Sequence, residues 1–315
     1  MTSTPLRTAS RLPAVAASRR PAWHRLLTGA LVAGGLALAV SLVGLAVDPR
    51  VIDGAPAWLK PMKFGVSITL YVLTIRWMLG VVRGHRRLLT VVATVILVGL
   101  VGEIAAIDLQ VLRGTTSHFN VSSVFDGVVY SGMGGLISFV FGVTVVAAVL
   151  VLRTRGVDRT IAAGMRWGLL VTLAGMAEAV LITVNFGWAK GGGHTVGGPD
   201  GGPGLPVTDW STLHGDLRIG HFVGLHALQL LPILAFLLIR VPGLAEPTRT
   251  RLLAVMASGY LGVLVLVTWQ ALRGQPLLAP DGLTIAAAIA LLLMLLAAGA
   301  VVRVAAHREP RPSVL

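Results

Sequence analysis

The chain has 315 residues, of which 55% are hydrophobic and only 12% charged, with a formal net charge of +13 and no cysteine. A soluble domain carries about 25% charged residues, so this composition belongs to an integral membrane protein. The missing thiols exclude disulfides, thiolate metal sites, iron–sulfur clusters and covalent c-type haem. The basic excess does not point to nucleic acid, because Lys and Arg fall in short clusters between apolar runs instead of on one soluble face with stacking aromatics.

In chain order, residues 1–25 are rich in Ser, Ala, Pro and Arg and read as a disordered basic cytoplasmic tail. A hydrocarbon core about 30 Å thick takes roughly 20 apolar residues per helix. Eight stretches meet that need: 26–47, 62–82, 88–110, 127–152, 161–185, 219–240, 252–272 and 283–303. The expectation is an all-α, polytopic transmembrane helix bundle over 26–303, with a second cytoplasmic tail at 304–315. The first stretch has the basic flank of a secretory signal, but its lead and its apolar run are both too long for one, which favours a retained helix.

Lys and Arg resist translocation and mark the cytoplasmic side. Arg83, Arg86 and Arg87, then Arg153, Arg155 and Arg159, then Arg240, Arg249 and Arg251 fall in every second connection, and both tails are basic. Both termini are therefore expected in the cytoplasm. On that topology most carboxylates and five of the eight histidines, His118, His194, His214, His221 and His226, lie in outer loops or the outer part of a span.

Counting at about 1.5 Å per residue puts Glu103, Glu178 and His226 at a similar depth in the outer third of the bilayer. Intramembrane charges usually face the bundle interior and a partner, so these three are expected to converge on one polar pocket open to the extracytoplasmic side. Glu103, Asp108 and Glu178 are the candidate acids, bases or proton carriers. The alternative is that the same groups only fix helix packing.

The segment "EIAAIDLQVLRGTTSHFNVSSVFD", residues 103–126, is too polar for a plain connector. It either lies exposed or folds back against protein, where polar backbone can be satisfied. Between the fifth and sixth spans, the Gly-rich outer loop 187–217 lacks the P-loop and dinucleotide fingerprints. It is expected to be anchored by Trp188 and Trp210 and to act as a lid that brings His194 or His214 near His221.

The run "HGDLRIGHFVGLHALQ" carries His214, His221 and His226. Positions five apart on a helix differ by about 140°, so His221 and His226 cannot hold a metal from one helix as an HExxH pair does. His226 and Gln229 share a local polar face that suits a cofactor. A metal site would have to combine His118, His221 and His226, with zinc or haem as the group held.

The stretches "WLKPMKFGVSI", "RGTTSHFN" and "GDLRIGHFVGLHALQ" resemble segments of bacterial multi-pass membrane proteins that carry no assigned activity, which implies a bacterial plasma membrane. Ser117, His118, Asp126, His221 and His226 are also similar in kind to the Ser, Asp and three His that surround zinc in membrane hydrolases of the ceramidase and adiponectin-receptor type. Those families pair their last histidines as HxxxH, whereas this chain has four residues between His221 and His226. Three functions follow: a metal-, haem- or quinone-dependent site, a proton- or cation-coupled small-solute transporter, or a structural or sensory subunit. The partners expected are the lipid bilayer and a small-molecule ligand from the extracytoplasmic side, not nucleic acid.

Overall fold

A computed structural model describes residues 20–186 and 192–308. Eight of its helices are long and apolar enough to cross a membrane. They are α1 (Ala22–Val47), α2 (Leu59–Leu79), α3 (Arg86–Leu112), α4 (Val124–Leu152), α5 (Arg159–Ala177) continued by the short α6 (Ala179–Thr183), α7 (Arg218–Ile239), α8 (Glu246–Leu272) and α9 (Gly282–Arg308). The chain is thus an all-α polytopic bundle that contacts the lipid bilayer.

Local chemistry sets the ends. Ser123 accepts the Asp126 amide at the start of α4, and Asp158 accepts the Thr160 and Ile161 amides at the start of α5, each satisfying donors that a helix leaves open. Pro247 sits in the first turn of α8, where no amide is needed. α1 starts at Ala22 and α9 runs to Arg308. Both helices thus run a little past the apolar stretches 26–47 and 283–303 into their polar flanks. At the first, Trp23 is buried and His24 accepts from Arg76 at 3.0 Å. Residues 1–19 and 309–315 lie outside the described residues.

The closest packing joins α5 to α7. A Cβ on Gly175 would stand 2.5 Å from the Gly224 Cα, and one on Gly164 would stand 3.1 Å from the Pro232 Cα. Glycine lets the two backbones approach, as small residues do where lipid supplies no hydrophobic drive. Against this seam α7 stays continuous through Pro232. α1 to α4 pack beside it around Leu27, Val72, Ile75, Ile96 and Ile107, all fully buried. α9 stands at the edge against α8, largely exposed.

At the end opposite the arginine clusters, two small sheets form a cap. β1 (Val51–Ile52) pairs with β2 (Ala55–Pro56) through a turn in which Asp53 and Gly54 both have positive φ, the geometry a two-residue hairpin prefers. β3 (Thr195–Val196) pairs with β4 (Gly215–Asp216) and closes the loop that precedes α7.

Candidate functional site

Glu103 faces inward from α3 with 1% of its surface exposed. The turn that follows α3 is clamped. Gln110 and Arg113 both donate to Asp126 Oδ1, while Ser122 and Ser123 donate to Oδ2. Asn120 ties the interior of the turn by donating to Thr115 and Thr116. Segment 113–123 consequently folds back at its middle, with Ser117 and Asn120 buried, while Arg113, Gly114, Val121, Ser122 and Ser123 at its two ends stay exposed.

That fold carries His118 over the outer end of α3. Its Nε2 lies 3.3 Å from Glu103 Oε1 and its Nδ1 3.1 Å from Ser117 Oγ, and the ring packs among Phe64, Phe119 and Tyr130. Burial holds His118 well below the ordinary imidazole value, and Lys60, His221 and His194 reinforce this. The contact sets an imidazole nitrogen beside a buried carboxyl oxygen, within reach of a proton passed between them. Glu103 Oε2 is buried with no hydrogen-bond partner.

The cap closes on this pair. Asp216, fully buried, accepts from the Ser211 amide and from the Arg218 amide and guanidinium. Arg218 also donates to the Asp209 carboxylate and backbone carbonyl, and Lys63 donates to Thr208 O at 2.8 Å. His194 lies 3.3 Å from Asp200 and 3.8 Å from Asp216. Burial lowers His194 to about 4; Arg218 adds to the effect, while Asp216 and Asp200 oppose it. Burial pulls Asp216 upward, but the hydrogen bonds and charge of Arg218 hold it below its ordinary value. His194 thus comes within electrostatic reach of His118. His214 instead packs against Gly197 and Gly198, so of the two lid histidines only His194 joins this centre. Trp188 lies outside the described residues, and Trp210 is half-buried in the cap.

The expected convergence of Glu103, Glu178 and His226 is corrected. Glu178, at the break between α5 and α6, accepts from Thr268 of α8, and its Oε2 occupies the space that a Cβ on Gly220 would need. His226 lies 3.3 Å from Gln229, which donates to Thr74 of α2. Gly220 and Gln229 are nine residues apart, about 180° around α7, so Glu178 and the His226–Gln229 pair lie on opposite faces. Asp108 keeps Oδ1 buried without a partner among the described residues. His221 is nearer: its Nδ1 stands 2.7 Å from Gly175 O, and it acts electrostatically on His118.

Asp126, one of the residues that suggested a zinc hydrolase, is committed to Arg113 and Gln110. His118, His221 and His226 do not close on one point. Among the described residues no three His, Asp or Glu side chains stand where they could hold a metal ion. Sequence reasoning missed Lys60, which lies within electrostatic reach of Glu103, His118 and Arg218. The signal was its position, a lysine in the first turn of a span with Pro61 beside it.

No model of a known protein family matches the chain, and no curated protein or solved structure matches it.

Proposed function

We infer that this multi-pass membrane protein binds a small polar ligand from its capped side and exchanges a proton with it through Glu103 and His118. The observation that carries the reading is the 3.3 Å contact between these residues with Glu103 Oε2 buried and unpartnered. A carboxyl group buried solely for packing is expected to have its oxygens satisfied, whereas a group that receives a ligand or proton keeps one free. The arginine distribution and the resemblance to bacterial proteins support a bacterial cytoplasmic membrane with both termini inside, which turns the capped side outward.

A one-sided site fits better than a transport route. Toward the arginine-rich end, the helices that carry Lys60 and Glu103 continue into Val72, Ile75, Met78, Leu89, Val92 and Ile96, each no more than 1% exposed. Solute passage would have to part this packing, which resembles the interior of a close-packed solid. The zinc reading is not carried forward, because its ligands are dispersed.

Infrared difference spectroscopy of the bilayer-reconstituted protein during a pH titration tests the reading. A protonated-carboxyl band should titrate, vanish in Glu103→Gln and shift in His118→Gln. A band indifferent to His118, or absent from the unmodified protein, would refute proton sharing.

A further inference from the structure

The contact between α8 and α9 changes along its length. Nearer the capped side, Gly262 and Gly259 of α8 receive Leu291 and Leu295 of α9, whose Cδ1 atoms stand 2.6 and 2.8 Å from where a glycine Cβ would lie. Toward the arginine-rich end α9 continues into Gly299 and Ala300, which present almost no side chain, and a Cβ on Gly299 would meet nothing within 4 Å. A groove of about 530 Å³ opens there, within the range of about 300–1,000 Å³ that small-molecule sites occupy. Leu252 of α8 and Leu295, Leu296 and Val304 of α9 give it apolar walls, and Arg303 stands in the same lining. Arg303 follows Gly299 by four residues and shares its helix face, about 12 Å along the axis from Leu295.

An apolar trough that ends in a guanidinium matches a lipid, because hydrocarbon fits the walls and a phosphate fits the fork of arginine donors. The surrounding charge agrees. α8 and α9 carry a single carboxylate, Glu246, and it lies 3.4 Å from Arg159, while Arg251 is exposed beside Leu252. A zwitterionic headgroup would bring its own cation to this basic edge, whereas basic recesses between spanning helices suit anionic headgroups. A second copy docked here by a two-fold contact would set equivalent surfaces against each other, Arg303 against Arg303, and like charges oppose that. We propose that the groove holds an anionic phospholipid, one acyl chain along Leu252, Leu295 and Leu296 and its phosphate paired with Arg303. The site lies at the end of the bundle opposite the Glu103–His118 centre and does not depend on the function read from it.

Native mass spectrometry of the full-length protein, titrated in mixed micelles with phosphatidylglycerol and phosphatidylcholine of identical acyl chains, tests this before any substitution is made. One phosphatidylglycerol per chain should bind about fivefold more tightly than phosphatidylcholine, the gain that one arginine near the membrane surface brings. Arg303→Gln should remove the preference and Arg303→Lys should keep part of it. Gly299→Leu, which fills the groove from a position with open space, should weaken both lipids. Arg155→Gln, an exposed arginine between α4 and α5 at the same end, should change nothing. Equal binding of the two lipids by the unmodified protein would overturn the assignment, as would a preference that survives Gly299→Leu or is lost equally in Arg155→Gln. A dimer mass that disappears in Gly299→Leu, with no lipid adduct, would give the groove to a second copy instead.

Discussion

Glu103 Oε1 and His118 Nε2 stand 3.3 Å apart across the outer end of α3, and Glu103 Oε2 is buried with no hydrogen-bond partner among the described residues. His118→Ala should therefore take a polar neighbour from a buried carboxyl that is already short of one. The expected loss is about 1–3 kcal/mol, measured by unfolding in mixed micelles. Glu103→Gln in the same background should restore part of it. A double-mutant cycle over the two sites should give a coupling of about 0.5–3 kcal/mol, and strict additivity would show that the pair does not interact.

The cap depends on one buried ion pair. Asp216 has no exposed side-chain surface and Arg218 little. Removing the guanidinium by Arg218→Met strands the carboxylate, a change that costs about 3–5 kcal/mol where a buried pair is broken. Limited proteolysis should then cut between residues 197 and 213, where the unmodified protein resists. Arg218→Lys should protect only partly, because one ammonium cannot reach Asp216 and Asp209 with the same fork of donors.

Acid should loosen the same cap. Burial and Arg218 lower His194 from 6.5 to about 4 in the folded protein, so between these values the unfolded chain binds more protons than the folded one. Stability is then full above 6.5 and is lost as pH falls from 6.5 toward 4. His118, depressed in the same direction, adds to the slope. Hydrogen exchange at the β3 and β4 amides should accelerate on acidification, and His194→Gln should flatten the dependence without abolishing it. Exchange that slows on acidification would reverse the sign assigned to these histidines.

Gly224 faces Gly175 so closely that an added Cβ would collide with the opposing backbone. Gly224→Ala should cost about 1–3 kcal/mol, the range for overpacking a well-filled interior. It should also move the Gly175 carbonyl away from His221 Nδ1, visible as a changed imidazole nitrogen shift in solid-state NMR. The exposed Gly135 has open space at its Cβ, and Gly135→Ala serves as the neutral control.

The eight spans were legible because each is an apolar run of membrane length, and that property is local to the sequence. Both members of the Glu103–His118 pair were recognisable as candidates, but their meeting was not. It depends on the turn after α3 being held down by Asp126, Gln110 and Arg113, which no spacing rule announces. Glu178 and His226 failed to join for a related reason. Counting residues fixes the height of a side chain in the membrane, whereas its direction around the helix follows from packing, here the Gly220 and Thr268 contacts of one and the Thr74 contact of the other. Lys60 was missed because its relation to Glu103 crosses between helices.

Everything proposed for the site requires it to open away from the arginine-rich side, and single-cysteine labelling in intact cells tests this most directly, since the chain has no cysteine of its own. Thr212→Cys, exposed in the cap, should react with a membrane-impermeant maleimide in sealed cells. Arg86→Cys, at the start of α3 on the opposite side, should react only after permeabilisation. The reverse pattern would place the Glu103–His118 centre on the cytoplasmic face and contradict a site that receives its ligand from outside.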